Sequence, residues 1–147
     1  MRHALRKMWL APLLLLGLAA CDSPFDYDEQ IEGYYSYAGT VDGYPGYSVN
    51  GELRITRASG SRAEATLDWY MYEGSRRVLE ITAYDVPVYI SGSTIRFETW
   101  GDLQLSSGWT EFELRHEGRF SSNRTIRGDW DLITDYSDDS GNFTASR

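Results

Sequence analysis

An antiparallel up-and-down β-barrel of about eight strands is what this chain of 147 residues predicts. Three observations carry the prediction. From Ile31 onward, apolar and polar side chains alternate with a period of two, the pattern of strands with one buried face. The connections are short and built of turn residues, so consecutive strands pair as antiparallel neighbours. No window of a dozen residues after Gln30 has the periodicity of a helix. A long sheet with one apolar face hides it by curling into a barrel or folding over as a sandwich. A meander of eight strands closes naturally as a barrel, so the β-sandwich is the alternative.

The segments run as follows. Ile31, Gly33, Tyr35 and Tyr37 alternate with Glu32, Tyr34 and Ser36. Val49, Gly51, Leu53 and Ile55 form the second apolar face, and Ala63, Ala65, Leu67, Trp69 and Met71 the third. Leu79, Ile81 and Ala83 make a fourth. A separate short apolar piece spans Val86 to Ile90 and contains Pro87. Ile95 and Phe97 come next, then Phe112 and Leu114, then Ile126, Gly128, Trp130 and Leu132, and last Phe143 and Ala145. That gives eight or nine strands. Gly33, Gly51 and Gly128 fall on the inward face, where a tightly curved wall needs room. The turns include Ser59-Gly60-Ser61, Glu73-Gly74-Ser75, Ser91-Gly92-Ser93 and Ser106-Ser107-Gly108.

The first twenty residues are of another kind. Arg2, Arg6 and Lys7 precede an apolar run from Met8 to Leu18, and small residues follow, the layout of a secretory leader. The run is well short of the roughly 20 apolar residues that span a bilayer as a helix. It ends in Leu18-Ala19-Ala20-Cys21, which resembles the bacterial lipobox at every position. That resemblance implies cleavage before Cys21, acylation of its thiol and new amino terminus, and a protein held to a membrane of the bacterial envelope with its domain in the periplasm. Several acyl chains hold a bilayer firmly where one does not. Asp22 after the cysteine resembles an inner-membrane retention signal of enteric bacteria, a rule other lineages do not follow, so inner and outer membrane both stay open. Three parts are therefore expected: a signal peptide at 1–20, a lipidated cysteine and acidic tether at 21–30, and a barrel domain at 31–147.

Cleavage leaves 127 residues, one domain's worth, and removes three of 14 basic residues and none of 22 acids, so the net charge moves from −8 to −11. All remaining bases are arginine. A surface so acidic is repelled by nucleic acid, and no nucleic-acid partner is expected. The only cysteine is the one to be acylated, so no disulfide supports the fold.

Gly33-Tyr34-Tyr35 on the first strand, Gly128-Asp129-Trp130 near the end and Gly141-Asn142-Phe143-Thr144-Ala145 on the closing strand resemble small lipocalin-like and avidin-like barrels. The resemblance covers about 115 residues. It implies a calycin-type barrel and a binding role, and it fixes no ligand. Thr134-Asp135-Tyr136 spells a lipocalin signature string but stands too late in the chain to serve as one.

Chemistry-bearing groups are few. His116 is the one histidine beyond the leader; it shares the parity of Phe112 and Leu114 and reads as a core or rim histidine rather than a catalytic one. One histidine with no free thiol makes a poor zinc site. Glu111, Glu113, Asp129 and Asp131 alternate with apolar residues and so face water, not a cleft where paired carboxylates would cleave a glycoside. Asp135, Ser137 and Asp139 have the spacing of calcium-loop oxygens, but the glycine is one place late and no glutamate follows. No enzyme activity, cofactor or metal is expected. Two readings compete. In the first, the barrel binds a small apolar or aromatic ligand through inward Tyr35, Tyr37, Trp69, Phe112 and Trp130. In the second, it is a structural or protein-interaction module of the envelope that presents Tyr34, Tyr44 and Tyr47 as a contact surface, since tyrosine offers large area at small entropic cost.

Overall fold

The computed structural model describes residues 30–147; the leader, Cys21 and the tether up to residue 29 lie outside the described residues. Eight strands follow in order: β1 (Gly33–Thr40), β2 (Tyr47–Ser59), β3 (Arg62–Glu73), β4 (Arg76–Ser91), β5 (Thr94–Leu105), β6 (Gly108–Ser122), β7 (Thr125–Thr134) and β8 (Asp138–Ser146). Each is antiparallel to the next, and β8 returns to pair with β1, so the sheet closes as a barrel in sequence order. Closure rules out the sandwich.

Parity sets what lies inside. Tyr35, Leu53, Leu67, Trp69, Ile95, Leu114, Ile126 and Trp130 have no exposed surface. Each large apolar side chain so buried contributes roughly 1.5–3 kcal/mol, the main force closing the sheet. Charged residues between them face out. Glycines admit the sharpest bends: Gly118 pairs directly with Gly128, and a Cβ on Gly128 would stand 2.1 Å from the Glu117 carbonyl oxygen.

The strands are longer than the alternation alone predicts. The fourth face and the Val86–Ile90 piece are one strand, β4, kinked where Ala65 faces Val86 but Leu67 faces Ala83. Tyr84 and Asp85 form this bulge, and Asp85 takes a left-handed backbone with φ of 53°. Strand β5 runs on past Phe97 through Trp100 to Leu105.

These two strands part company at the upper end of the barrel, the end carrying the 41–46, 74–75, 106–107 and 135–137 connections. They pair only from Val88–Phe97 to Ser91–Thr94; above that level β4 keeps only β3 and β5 keeps only β6. The sequence supplies the cause. Ile90 N–H donates to Ser61 O on the β3 side, so by alternation position 87 points at β5. Pro87 has no N–H to continue that ladder. The bulge just before it then turns β4 aside.

Candidate functional site

The split leaves a slot in the wall. Beside it Leu79 and Ala83 of β4, Thr99, Gly101 and Leu105 of β5, and Phe112 of β6 are only half-buried, while Ile81 and Leu103 between them are buried. Leu79, Ala83, Leu105 and Phe112 still pack against the core. The slot therefore leaves several apolar positions of the interior partly uncovered by the sheet. The Phe112 ring lies over Gly101, where a Cβ would come within 3.2 Å of it.

At the level where β4–β5 pairing ends sits a cluster of rings. Phe97, a member of the last pair, stacks on His116 with centroids 4.4 Å apart. Tyr37 stacks on Phe143 at 5.0 Å and meets His116 edge-on. Trp69 meets Trp130 edge-on at 5.2 Å. The Tyr37 hydroxyl and His116 Nε2 are 3.0 Å apart. The Trp69 indole N–H faces the same hydroxyl, close enough to favour its ionised form but short of hydrogen-bond geometry. Which partner donates in the Tyr37–His116 bond depends on the imidazole tautomer. Burial holds His116 neutral, its pKa pushed down to about 3, and drives the Tyr37 pKa far up. Two buried nitrogens, Trp69 Nε1 and His116 Nδ1, complete no hydrogen bond among the described residues. Trp130 Nε1, by contrast, donates to Thr40 O at 3.2 Å.

The expected ligand residues do not form one site. Tyr37, Trp69 and Trp130 share the central cluster. Tyr35 lies near the lower end, its hydroxyl donating to Ile31 O at 2.7 Å and its ring beneath Arg147. Phe112 flanks the slot above. The tyrosines expected on a contact surface also separate. Tyr44 and Tyr47 meet edge-on at 5.6 Å on the upper end, whereas Tyr34 is at the lower end of β1 under the Arg54 guanidinium. The 134–136 string builds the β7–β8 turn: Thr134 Oγ1 accepts from Tyr136 N and Ser137 N. In that turn Asp135 accepts from the Thr110 hydroxyl and Asp139 from Ser137, so these oxygens face their own neighbours.

Sequence reasoning missed Leu79, Ala83 and Gly101 as slot residues, because the slot is defined by pairing that is absent. It also missed the exposed aromatics of the upper outer wall, Trp100, Trp109 and Tyr136, each about two-thirds exposed. A cleft of about 450 Å³ lies on that wall, with Trp100, Glu111, Phe112 and Asp135 among its lining. Their signal was present: Trp100 and Trp109 stand at polar-parity positions. Among the described residues no group of three or more His, Cys, Asp or Glu is placed to hold a metal ion, and no helix is long and apolar enough to cross a membrane.

No family model matches the chain, and no curated protein does. Solved structures with a similar fold include redesigned and de novo designed barrels. One, EF1p2_mFAP2b bound to DFHBI, superposes with a TM-score of 0.58 at 11% identity, over 80% of this chain and 94% of that one. The redesigned barrel mFAP1 bound to DFHBI gives 0.55 at 12% identity, over 82% and 98%. A fluorescence-activating β-barrel designed de novo gives 0.52 at 12%, over 84% and 99%. At such identity the likeness is one of fold, that of a closed β-barrel.

Proposed function

We propose that this chain is a lipid-anchored binding protein of the bacterial envelope that takes a small apolar or aromatic ligand into its barrel between β4 and β5. The observation that carries the reading is the set of half-buried inward apolar residues, Leu79, Ala83, Leu105 and Phe112, beside the unpaired strand halves. Exposed apolar surface costs free energy that an apolar ligand recovers. Barrels of similar fold solved bound to DFHBI support it. The reading is one of binding, in keeping with a His116 that is buried, neutral and hydrogen-bonded to Tyr37.

The neutral dye N-phenyl-1-naphthylamine tests this. Its fluorescence should rise saturably on titration with the purified domain. Ala83→Trp, which fills a half-buried position on the slot wall, should abolish the rise while leaving the melting temperature within a few degrees. A dye that does not bind, or binds the variant equally, overturns the slot reading.

The anchor rests on Leu18-Ala19-Ala20-Cys21. In a bacterial host, alkyne-palmitate labelling should mark the full chain and send it to the membrane fraction. Cys21→Ala should carry no label and leave that fraction; label that persists on the variant refutes acylation at Cys21.

A second reading, contact with another envelope protein, is favoured by the exposure of Trp100, Trp109 and Tyr136. Aromatic side chains of this size are the usual anchors of an interface.

A further inference from the structure

We propose that the outer wall of β5 and β6 at the upper end docks a partner protein through arginine side chains, seated between Trp100 and Trp109 on the carboxylates of Asp102 and Glu111. The inference rests on the second reading above, contact through this wall, and names the chemistry of the partner. It does not depend on the slot.

Register builds the surface. On the outer face of the β5–β6 ladder three rungs follow one another: Gln104–Trp109, Asp102–Glu111 and Trp100–Glu113. The two indoles thus flank the acid rung from opposite strands. Each is one outward position away, about 7 Å along its own strand. Both indoles are exposed, as is Tyr136 on the β7–β8 turn, and exposed rings gathered at one end of a barrel mark a contact surface. The cleft of about 450 Å³ adds depth beside Trp100, with apolar Ile133 and the acids Glu111 and Asp135 in its lining.

The negative charge here is uncompensated. Like charges directly opposite on a ladder repel. The other acid-on-acid rungs of the outer wall have a base on the next rung: Glu52–Asp68 lies beside Arg54, and Glu117–Asp129 lies between Arg115 and Arg119. Asp102–Glu111 has none on either side, and β4 does not pair with β5 at this level to supply one. Arg115, two rungs away, is bound to Glu113. Among the described residues neither Asp102 nor Glu111 has a cationic partner.

Arginine answers both features. Its flat guanidinium stacks on an indole face while its N–H fork pairs with a carboxylate. Tryptophan and arginine are also the side chains that most often carry interface energy. The sign of the wall selects a protein: nucleic acid and anionic headgroups share its charge and are repelled.

The probe is an amidated heptapeptide alternating arginine with valine, titrated at about 0.15 M salt, where exposed charges beyond about 8 Å are screened. Its twin carries citrulline, which keeps the shape of arginine without the charge. The purified protein should bind the arginine peptide about tenfold more tightly, the worth of one charged hydrogen bond. In NMR spectra the Trp100 and Trp109 indole N–H signals should shift, and those of buried Trp69 and Trp130 should stay. Asp102→Asn with Glu111→Gln should bring the two peptides level. Glu52→Gln with Asp68→Asn removes the same charge from the β2–β3 wall and should leave the preference intact. Equal binding of both peptides by the parent, or an equal effect of both double variants, overturns the inference. So does a shift of the same indole signals by phosphatidylcholine vesicles, which would give the rings to a bilayer. The contact reading is tested apart, with p-benzoylphenylalanine in place of Gln104. Crosslinking to no protein in cells refutes contact through this wall, whereas failure of the peptides with crosslinking intact refutes arginine recognition alone.

Discussion

Gly141→Ala is expected to cost about 3 kcal/mol or more of folding stability, near the top of what one added methyl group does. The melting temperature should fall by roughly 10 °C for a domain of this size. The reason is where β8 crosses β1 to close the barrel. A Cβ on Gly141 would stand 1.8 Å from the Thr40 carbonyl oxygen and 2.8 Å from the Trp130 ring. One residue pair away, a Cβ on Gly39 would stand 2.2 Å from the Asn142 oxygen. Both strands thus use glycine at the crossing, and the pairing between them is short, from Ser36–Ser146 to Gly39–Phe143. The same Thr40 oxygen accepts the Trp130 N–H, and Asp42 N donates to Ser140 O just above. A methyl group here cannot be absorbed by a rotating side chain, because what it meets is backbone. The seam must open or the indole must leave its acceptor. Gly46→Ala is the control, since its Cβ would meet nothing within 4 Å. Urea unfolding of both variants checks the claim; a Gly141→Ala midpoint equal to that of Gly46→Ala refutes it.

How much of this was legible beforehand follows from what a linear pattern can hold. Alternation is local, so the inward set Leu53, Leu67, Trp69, Leu114 and Trp130 could be read directly, and with it the barrel. Strand β5 was cut short because Gly101 occupies an inward position and Trp100 an outward one, which breaks the alternation where the strand continues. Strand β4 was read as two pieces because Pro87 and a two-residue bulge sit inside it, both of which ordinarily end a strand. The slot was beyond reach for a different reason. Each strand beside it is individually regular, and only the missing rungs between them make an opening. The central cluster was half legible: parity placed Tyr37 and His116 inside, but their hydrogen bond joins residues 79 apart in the chain. No spacing rule connects them until the barrel closes.

That buried pair gives the chain a steep dependence on acid. His116 keeps its proton off in the folded state down to about pH 3, because burial penalises the charged imidazolium and its neighbours are rings. In the unfolded chain the same group titrates near 6.5. Between these values the unfolded state binds a proton that the folded state refuses, so stability falls as pH falls. The contribution is complete above pH 6.5, declines through the window from 6.5 to 3, and is flat below it. At pH 4 the loss relative to pH 7 should be about 3 kcal/mol from this one residue. Carboxylates titrate over part of the same range, so the comparison must cancel them. Replacing His116 alone would strand the Tyr37 hydroxyl, whereas changing both partners to phenylalanine removes donor and acceptor together, which is nearly neutral at pH 7. The double variant Tyr37→Phe, His116→Phe should therefore match the parent at pH 7 within about 1 kcal/mol and exceed it at pH 4 by about 3 kcal/mol. Urea midpoints at the two pH values read this directly. Parallel loss of stability in parent and double variant would mean that His116 is protonated without unfolding, and that the ring cluster opens to water far more readily than its packing implies.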